Sequence, residues 1–153
     1  MNEEPRSIMI LMAEDDADDR LLTTKALARS RLRNNLRFVE DGVDLMDYLF
    51  HRGKYKDPNS SPRPGVILLD LNMPKKDGRE ALEEIKADPS LRRIPVIVLT
   101  TSKQDEDIIR SYDLGANAFI SKPVTFAGLV ECMQALEKFW FEIVELPEET
   151  GKE

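Results

Sequence analysis

The chain has 153 residues, of which 41% are hydrophobic and 33% are charged, and its formal net charge is −7 at pH 7. This composition is typical of one globular domain and excludes a disordered chain. The acidic balance argues against binding to nucleic acid, which needs a basic surface to neutralise phosphates. No apolar run approaches the roughly 18 residues of a membrane span, and the polar start MNEEPRS does not resemble a signal peptide. With a single cysteine, these features favour a cytoplasmic protein.

The first half of the chain alternates strand-like and helix-like segments. Residues 8–13 form a continuous apolar run, which is typical of a strand buried on both faces. A helical segment with acidic residues at its start follows at 17–32, and a short strand follows at 36–39. An Asp-Gly turn then leads into a second helix at 42–50. Residues 51–65 contain three prolines and are predicted to form an exposed loop.

The second half continues the same alternation. Its most strand-like run is VILLD, and Gly115 is positioned to cap the end of a helix. The predicted elements of this half are a strand at 66–70, a helix at 79–87, a strand at 94–99, a helix at 104–114, a strand at 116–120 and a final helix from about 125.

Strand and helix thus alternate five times along the chain. This order predicts an α/β fold in which right-handed crossovers join a parallel sheet that is covered by helices on both faces. We expect a doubly wound sheet of five parallel strands. The expected single domain covers residues 7–146, with polar termini at 1–6 and 147–153.

Acidic residues follow two of the predicted strands. Glu14 and Asp15 come after the first strand, and Asp70 ends the third. Because ligands of doubly wound sheets bind outside the carboxyl ends of the strands, these side chains are predicted to meet. Three converging carboxylates repel one another, and a divalent cation relieves that repulsion. Oxygen ligands without a nearby cysteine or histidine favour Mg²⁺ or Mn²⁺, and a carboxylate beside a bound phosphate is a candidate nucleophile.

Thr100 and Lys122 closely follow the last two predicted strands, which end at residues 99 and 120. The hydroxyl of Thr100 and the ammonium of Lys122 both suit contact with a phosphoryl group. Taken singly, acidic pairs and threonines often cap helices, and a lysine often pairs with a surface acid. Together with the acids, these residues occur at strand ends that share one edge of the sheet, which favours a site that handles phosphate.

Short motifs around the strand ends occur in a characteristic order. They are Glu14-Asp15, Leu68-Leu69-Asp70-Leu71-Asn72-Met73-Pro74 with Asp77-Gly78, Leu99-Thr100-Thr101, Phe119 and Ser121-Lys122-Pro123. In this order and spacing they resemble the CheY-like receiver domains of response regulators, over about residues 8–140. The resemblance implies a flavodoxin-like α/β fold, a doubly wound parallel sheet with strand order 2-1-3-4-5. It also implies a switch that accepts a phosphoryl group from a sensor histidine kinase.

The same resemblance implies a role for each site residue. Asp70 is the implied phosphoacceptor, and Phe119 stands at the switch aromatic, although core packing alone would also explain it. The implied Mg²⁺ ligands are Asp15, Asp70 and the main-chain carbonyl of Asn72, with Glu14 acting directly or through water, and the implied phosphate contacts are Thr100 and Lys122. A cis Lys122–Pro123 peptide bond is implied as well.

Other segments resemble phytochrome-associated single-domain regulators. These segments are the proline-rich insertion before VILLD, then LNMPKKDGREALEEIK, RRIPVIVLTTS and the ending FWFEIVELP. This closer resemblance implies that the partner is a red-light-sensing histidine kinase, a bacterial phytochrome.

Three rival interpretations of the site make different demands on the sequence. A haloacid-dehalogenase-type phosphatase needs a second aspartate two residues after its nucleophile, but Asn72 occupies that position and an amide does not exchange protons near neutral pH. A flavodoxin-type cofactor carrier needs a loop rich in Gly, Ser and Thr where this chain has EDDADD. A pseudo-receiver that only binds partners would lack Asp70, Thr100 or Lys122. We therefore expect a signalling switch rather than an enzyme.

The segment that follows the last predicted helix is apolar. Phe139, Trp140 and Phe141 carry more hydrophobic surface than one helix face can bury. The segment either folds back onto its own domain or forms a homodimer contact, and we favour the homodimer. Since only residues 141–153 follow Trp140, we expect no effector domain after it and an output through protein–protein contacts.

Overall fold

The computed structural model describes residues 9–28, 36–70, 75, 78–100, 118–121 and 126–138. The strands are β1 (Ile10–Ala13), β2 (Leu36–Val39), β3 (Val66–Asp70), β4 (Val96–Thr100) and β5 (Ala118–Ser121). The helices are α1 (Ala17–Leu27), α2 (Gly42–Leu49), α3 (Gly78–Ala87) and α4 (Phe126–Lys138), with 3-10 turns at Gly53–Tyr55 and Leu91–Arg93. The helix predicted at 104–114, and the end of the first helix predicted at 32, lie outside these residues. None of the helices seen in these segments has the length and apolar character to cross a membrane.

The strands form one parallel sheet in the order β2-β1-β3-β4-β5, which confirms the predicted doubly wound fold. The register aligns Ala13 of β1 with both Val39 of β2 and Leu69 of β3. It also aligns Asp70 of β3 with Leu99 of β4. The strands therefore end nearly level, so the residue that ends β3 shares one edge of the sheet with the residues that follow β1.

Side chains alternate across the strands and form a hydrophobic core on each face of the sheet. One core joins the sheet to α2 and α3, and the other joins it to α1 and α4. Every residue of β3 is buried, which explains why VILLD is apolar without alternation until its final aspartate. The largest fully buried side chains are Leu11, Met12, Leu27, Leu45, Met46, Ile67, Leu68, Leu69, Leu82 and Ile85.

The loop at 51–65 is packed more closely than an exposed segment would be. Ser61 is only 3% exposed. Tyr48 of α2 donates its hydroxyl to the carbonyl oxygen of Pro62 at 2.8 Å, and the rings of Tyr48 and Tyr55 lie 5.0 Å apart. The prediction of an exposed loop is therefore wrong for part of this segment, because tyrosine side chains tie it to the domain.

Candidate functional site

The edge of the sheet where β1 and β3 end is acidic. Glu14 immediately follows β1, Asp15 is its neighbour, and Asp70 is the last residue of β3. One carboxylate oxygen from each residue lies within 4.8 Å of the other two. The structure thus brings together the three acids that were expected to meet, and we call Glu14, Asp15 and Asp70 the acidic cluster.

The three acids differ in their exposure to solvent. Glu14 is 1% exposed and Asp70 is 6% exposed, whereas Asp15 is exposed. Buried carboxylates are costly to keep charged unless cations or hydrogen bonds compensate them. Carboxylate oxygens are hard ligands, and Mg²⁺ and Mn²⁺ prefer such ligands. The donor set of the acidic cluster therefore fits a divalent cation of this kind, which solvent would reach on the side of Asp15.

Hydrogen bonds hold Glu14 at the end of β1. Its N–H donates to the carbonyl oxygen of Val39 at 3.0 Å, which extends the pairing of β1 with β2 by one residue. Its carbonyl oxygen accepts a bond of 2.8 Å from Nη1 of Arg20. Its carboxylate Oε2 accepts the N–H of Asp16 at 3.2 Å. Both the main chain and the side chain of Glu14 are therefore oriented by neighbouring groups.

Asp16 serves helix α1, although it directly follows two members of the cluster. Its carboxylate accepts the N–H of Asp18 at 2.8 Å and that of Asp19 at 3.1 Å. An aspartate at this position satisfies N–H groups that have no partner within the helix, and its charge is favourable at the positive end of the helix dipole. The acidic run after β1 thus contains both a helix cap and two cluster members.

The other predicted site residues are described only in part. Thr100 ends β4, where its backbone pairs with Ser121, and Phe119 of β5 pairs with Val98. Thr100 is therefore at the same edge of the sheet as Asp70. The side chains of Thr100 and Phe119 lie outside the described part of the structure, as do Asn72, Lys122, the Lys122–Pro123 bond, Phe139, Trp140 and Phe141.

Two basic side chains, those of Arg20 and Lys75, contact the loops at this edge, and neither was predicted from the sequence to belong to the site. Besides its bond to the main chain after β1, Arg20 places Nη2 at 4.0 Å from Oε2 of Glu40, which follows β2. Lys75, in the loop after β3, places Nζ at 3.5 Å from Oδ2 of Asp41, the N-cap of α2. The sequence offered only one weak indication of the role of Arg20, which is that Arg20 is the first basic residue after the run EDDADD.

Comparison with known proteins places these features in a family. Residues 10–134 match the family described as the response regulator receiver domain. The response regulator Rcp1 of Synechocystis sp. is 45% identical over 139 residues, which cover 91% of this chain and 92% of Rcp1. Phosphorylated RcpA, a cyanobacterial phytochrome response regulator, has a TM-score of 0.85 at 43% identity, covering 94% of this chain and 100% of RcpA.

A solved structure from R. palustris extends the similarity. The response regulator RPA3017, in red light signalling of R. palustris, has a TM-score of 0.86 at 38% identity, covering 92% of this chain and 99% of RPA3017. Rcp1 has been solved in a Mn²⁺-bound form, with a TM-score of 0.82 that covers 92% of this chain and 99% of Rcp1. The family match runs from β1 into α4 and so includes both strand ends that carry the acidic cluster. This chain therefore belongs to the response regulator receiver domain family.

Proposed function

We propose that this receiver domain, which we assign to residues 7–146, accepts a phosphoryl group on Asp70 from a sensor histidine kinase and signals through protein–protein contacts. The observation that carries the proposal is the acidic cluster at the end of the central strand β3, in which the carboxylate oxygens lie within 4.8 Å of one another. An aspartate carboxylate in such a setting can form an aspartyl-phosphate. Membership of the receiver family supports the same reaction.

The metal ion of this site is proposed to be Mg²⁺, with Mn²⁺ as a substitute. Its ligands would be Glu14, Asp15, Asp70 and the main-chain carbonyl of Asn72. When bound, the ion supplies positive charge that offsets the charges of the carboxylates and of the phosphoryl oxygens. The oxygen donor set supports this assignment, and the Mn²⁺-bound form of the relative Rcp1 is consistent with it.

The position of Asp70 explains how the chain itself would promote the transfer. β3 is paired with β1 on one side and with β4 on the other, so the nucleophile is carried by a strand whose backbone is held along both edges. An Asp70 carboxylate oxygen attacks the phosphorus, the new oxygen–phosphorus bond forms, and the bond from phosphorus to the kinase histidine nitrogen breaks. Thr100 and Lys122 are proposed to contact the phosphoryl oxygens through their hydroxyl and ammonium groups.

Intact mass spectrometry after incubation with acetyl phosphate and Mg²⁺ tests this assignment. The wild-type protein should gain one phosphoryl group, and Asp70→Asn should gain none because the amide is not a nucleophile here. Asp18→Asn is the matched control, since Asp18 is an exposed acid in the first turn of α1, and it should react like the wild type. Absence of reaction in the wild type would favour a pseudo-receiver, and a persistent gain in Asp70→Asn would exclude Asp70 as the acceptor.

We further propose that the partner is a bacterial phytochrome kinase and that the exchange occurs in the cytoplasm. The support is that RcpA is a phytochrome response regulator and RPA3017 acts in red light signalling, and that both match nearly the full length of this chain. In a phosphotransfer assay, the autophosphorylated phytochrome of the same organism should label the wild type and not Asp70→Asn. Equal or faster transfer from an unrelated histidine kinase of that organism would contradict the partnership.

A further inference from the structure

We propose that Arg20 is a positioning residue of the acidic cluster, which holds the Glu14–Asp15 peptide in the orientation that lets both carboxylates bind the metal ion. The inference rests on the proposed phosphoryl-accepting function, because it concerns the same site. Arg20 lies in the first turn of α1, and its side chain is 22% exposed, so most of it is packed against the domain.

The guanidinium of Arg20 reaches back from the helix to the end of β1. Its Nη1 donates to the carbonyl oxygen of Glu14 at 2.8 Å, a distance typical of strong hydrogen bonds from a charged donor. Its Nη2 lies 4.0 Å from Oε2 of Glu40, at the end of β2. One planar side chain thus connects α1 with the ends of two neighbouring strands, which a single-point donor such as lysine could not do equally well.

The carbonyl group of Glu14 determines the direction in which the chain continues into Asp15. The carbonyl of Glu14 and the amide nitrogen of Asp15 belong to one planar peptide unit. On its other side, Glu14 is fixed by the bond of 3.0 Å from its N–H to Val39. With Arg20 on the carbonyl oxygen, the two peptide units that flank the α-carbon of Glu14 are each held by one hydrogen bond. Asp15 is exposed, so packing restrains its carboxylate little and the orientation of its main chain matters more.

The charge of Arg20 by itself repels a metal ion, so its effect on metal binding depends on the geometry of its hydrogen bond. The guanidinium follows the run EDDADD, whose carboxylates repel one another. Because its short hydrogen bond goes to a main-chain oxygen, Arg20 orients the loop without taking the place of a metal ion among the cluster carboxylates. We therefore expect removal of the Arg20 side chain to reduce the free energy of metal binding more than the free energy of unfolding.

Mn²⁺ affinity, measured from the electron paramagnetic resonance signal of the free ion, tests the role directly. Arg20→Ala should weaken Mn²⁺ binding about tenfold, in the range seen for residues that orient metal ligands. Arg20→Lys should recover part of the affinity, because an ammonium can donate one bond to the same carbonyl oxygen. Glu40→Gln is the matched control. It removes only the 4.0 Å contact to a side chain that is 69% exposed, and should change the affinity less than about twofold.

Phosphorylation by acetyl phosphate gives a second readout. Arg20→Ala should need about tenfold more Mg²⁺ for half-maximal rate and should approach the wild-type rate at saturating Mg²⁺, because Arg20 acts through ligand orientation. If Arg20→Ala does not fold, Arg20→Lys and Arg20→Gln carry the comparison. Wild-type Mn²⁺ affinity in a folded Arg20 variant would overturn the positioning role, whether or not its melting temperature falls. Failure of the wild-type protein to bind Mn²⁺ would instead overturn the proposed function.

Discussion

Lys75 adopts a left-handed backbone conformation, with φ of 66°, in the loop after β3. This conformation costs a residue with a side chain roughly 1–2 kcal/mol relative to glycine. The ammonium of Lys75 lies 3.5 Å from Oδ2 of Asp41, but the lysine side chain is 68% exposed. An ion pair at such exposure contributes at most about 1 kcal/mol. The strain at Lys75 is therefore larger than the attraction that accompanies it.

Lys75→Gly should raise the free energy of unfolding by roughly 0.5–1 kcal/mol. Glycine removes the strain, while the lost ion pair and the greater freedom of the unfolded chain keep the gain small. Urea denaturation followed by circular dichroism measures the change. Lys75→Ala is the control, because it loses the same ion pair and keeps the strained φ, so it should show no gain. Equal stabilisation by both substitutions would show that backbone strain is not the cause.

Substitution of an acidic-cluster residue should reduce the stabilisation that a metal ion gives the protein, whereas substitution of a neighbouring acid should not. Mg²⁺ should raise the melting temperature of the wild type, because the ion binds the folded cluster and not the unfolded chain. At one hundred times its dissociation constant, a ligand contributes about 2.7 kcal/mol to stability. Asp15→Asn should lose most of this gain, and Asp18→Asn should keep it. A wild-type melting temperature that does not change at millimolar Mg²⁺ would contradict the metal site.

At the scale of elements, the strands show what apolar patterns do and do not reveal. The strands predicted at 36–39 and 66–70 coincide with β2 and β3. The strand predicted at 94–99 begins before β4 does, because Ile94 donates its N–H back into the preceding 3-10 turn and Pro95 has no N–H to donate. Ile94 is nevertheless 2% exposed. The apolar pattern therefore indicates which residues are buried, but it does not indicate which backbone groups form the hydrogen bonds of the sheet.

The functional site was predictable to a similar degree and for related reasons. The convergence of Glu14, Asp15 and Asp70 followed from the order of the elements, since a parallel sheet places the carboxyl ends of its strands at one edge. Arg20 was not predictable, because its short hydrogen bond is to a main-chain oxygen that every residue possesses. The sequence shows that an arginine is present at position 20, but it does not show which main-chain oxygen the arginine contacts.

The segment after α2 also makes contacts that were not predictable from the sequence, and these contacts have a measurable effect on stability. Tyr55 donates its hydroxyl to Oδ1 of Asp44 at 2.8 Å, and Nζ of Lys54 lies 3.7 Å from the same oxygen. Burial raises the pKa of the Tyr55 hydroxyl, and the hydrogen bond to Asp44 raises it further by a smaller amount. Burial also raises the pKa of Tyr48, which packs against Tyr55. The folded protein therefore holds both phenolic protons more tightly than the unfolded chain does.

The free energy of unfolding should fall as the pH rises above the ordinary tyrosine pKa of 10.0. Because the folded-state pKa of Tyr55 is the higher one, its contribution is complete below that pH and is lost as the pH rises toward the folded-state value. Tyr55→Phe should be less stable at neutral pH, since Asp44 loses a hydrogen bond, and its stability should decline less steeply at alkaline pH. Urea denaturation across this range measures both slopes, and identical slopes would contradict the account.

At the scale of the whole molecule, the sheet is held between two hydrophobic cores. One lies against α2 and α3 and the other against α1 and α4, so the strands are constrained on both faces. The acidic cluster sits beyond these cores, at the ends of strands whose own positions are fixed. Substitutions of cluster carboxylates should therefore alter chemistry while the packing of the domain stays intact.

The apolar C-terminal segment bears on assembly, and we propose that it forms a homodimer contact. Removal of the chain from Phe139 onward, including Trp140 and Phe141, should convert the dimer into a monomer in sedimentation velocity experiments, because it removes the aromatic surface. Leu21→Ser is the matched control. It removes apolar surface from a residue that is 53% exposed on α1, and should leave the assembly unchanged. A full-length protein that sediments as a monomer at high concentration would refute the contact.

The pairing of β1 with β3 also determines when during its synthesis the protein can become active. Ala13 aligns with Leu69, so this pairing joins segments that are far apart in the chain, and closing so long a loop is entropically costly and slow. A ribosome-bound fragment that ends after β2 contains Glu14 and Asp15 but not β3. It still lacks Asp70, and its two remaining carboxylates have no partner strand to complete the cluster. In the proposed phosphoryl transfer, the acceptor site therefore forms only with the central pairing of the sheet, and a prematurely terminated chain would not compete with the finished protein for the phosphoryl group.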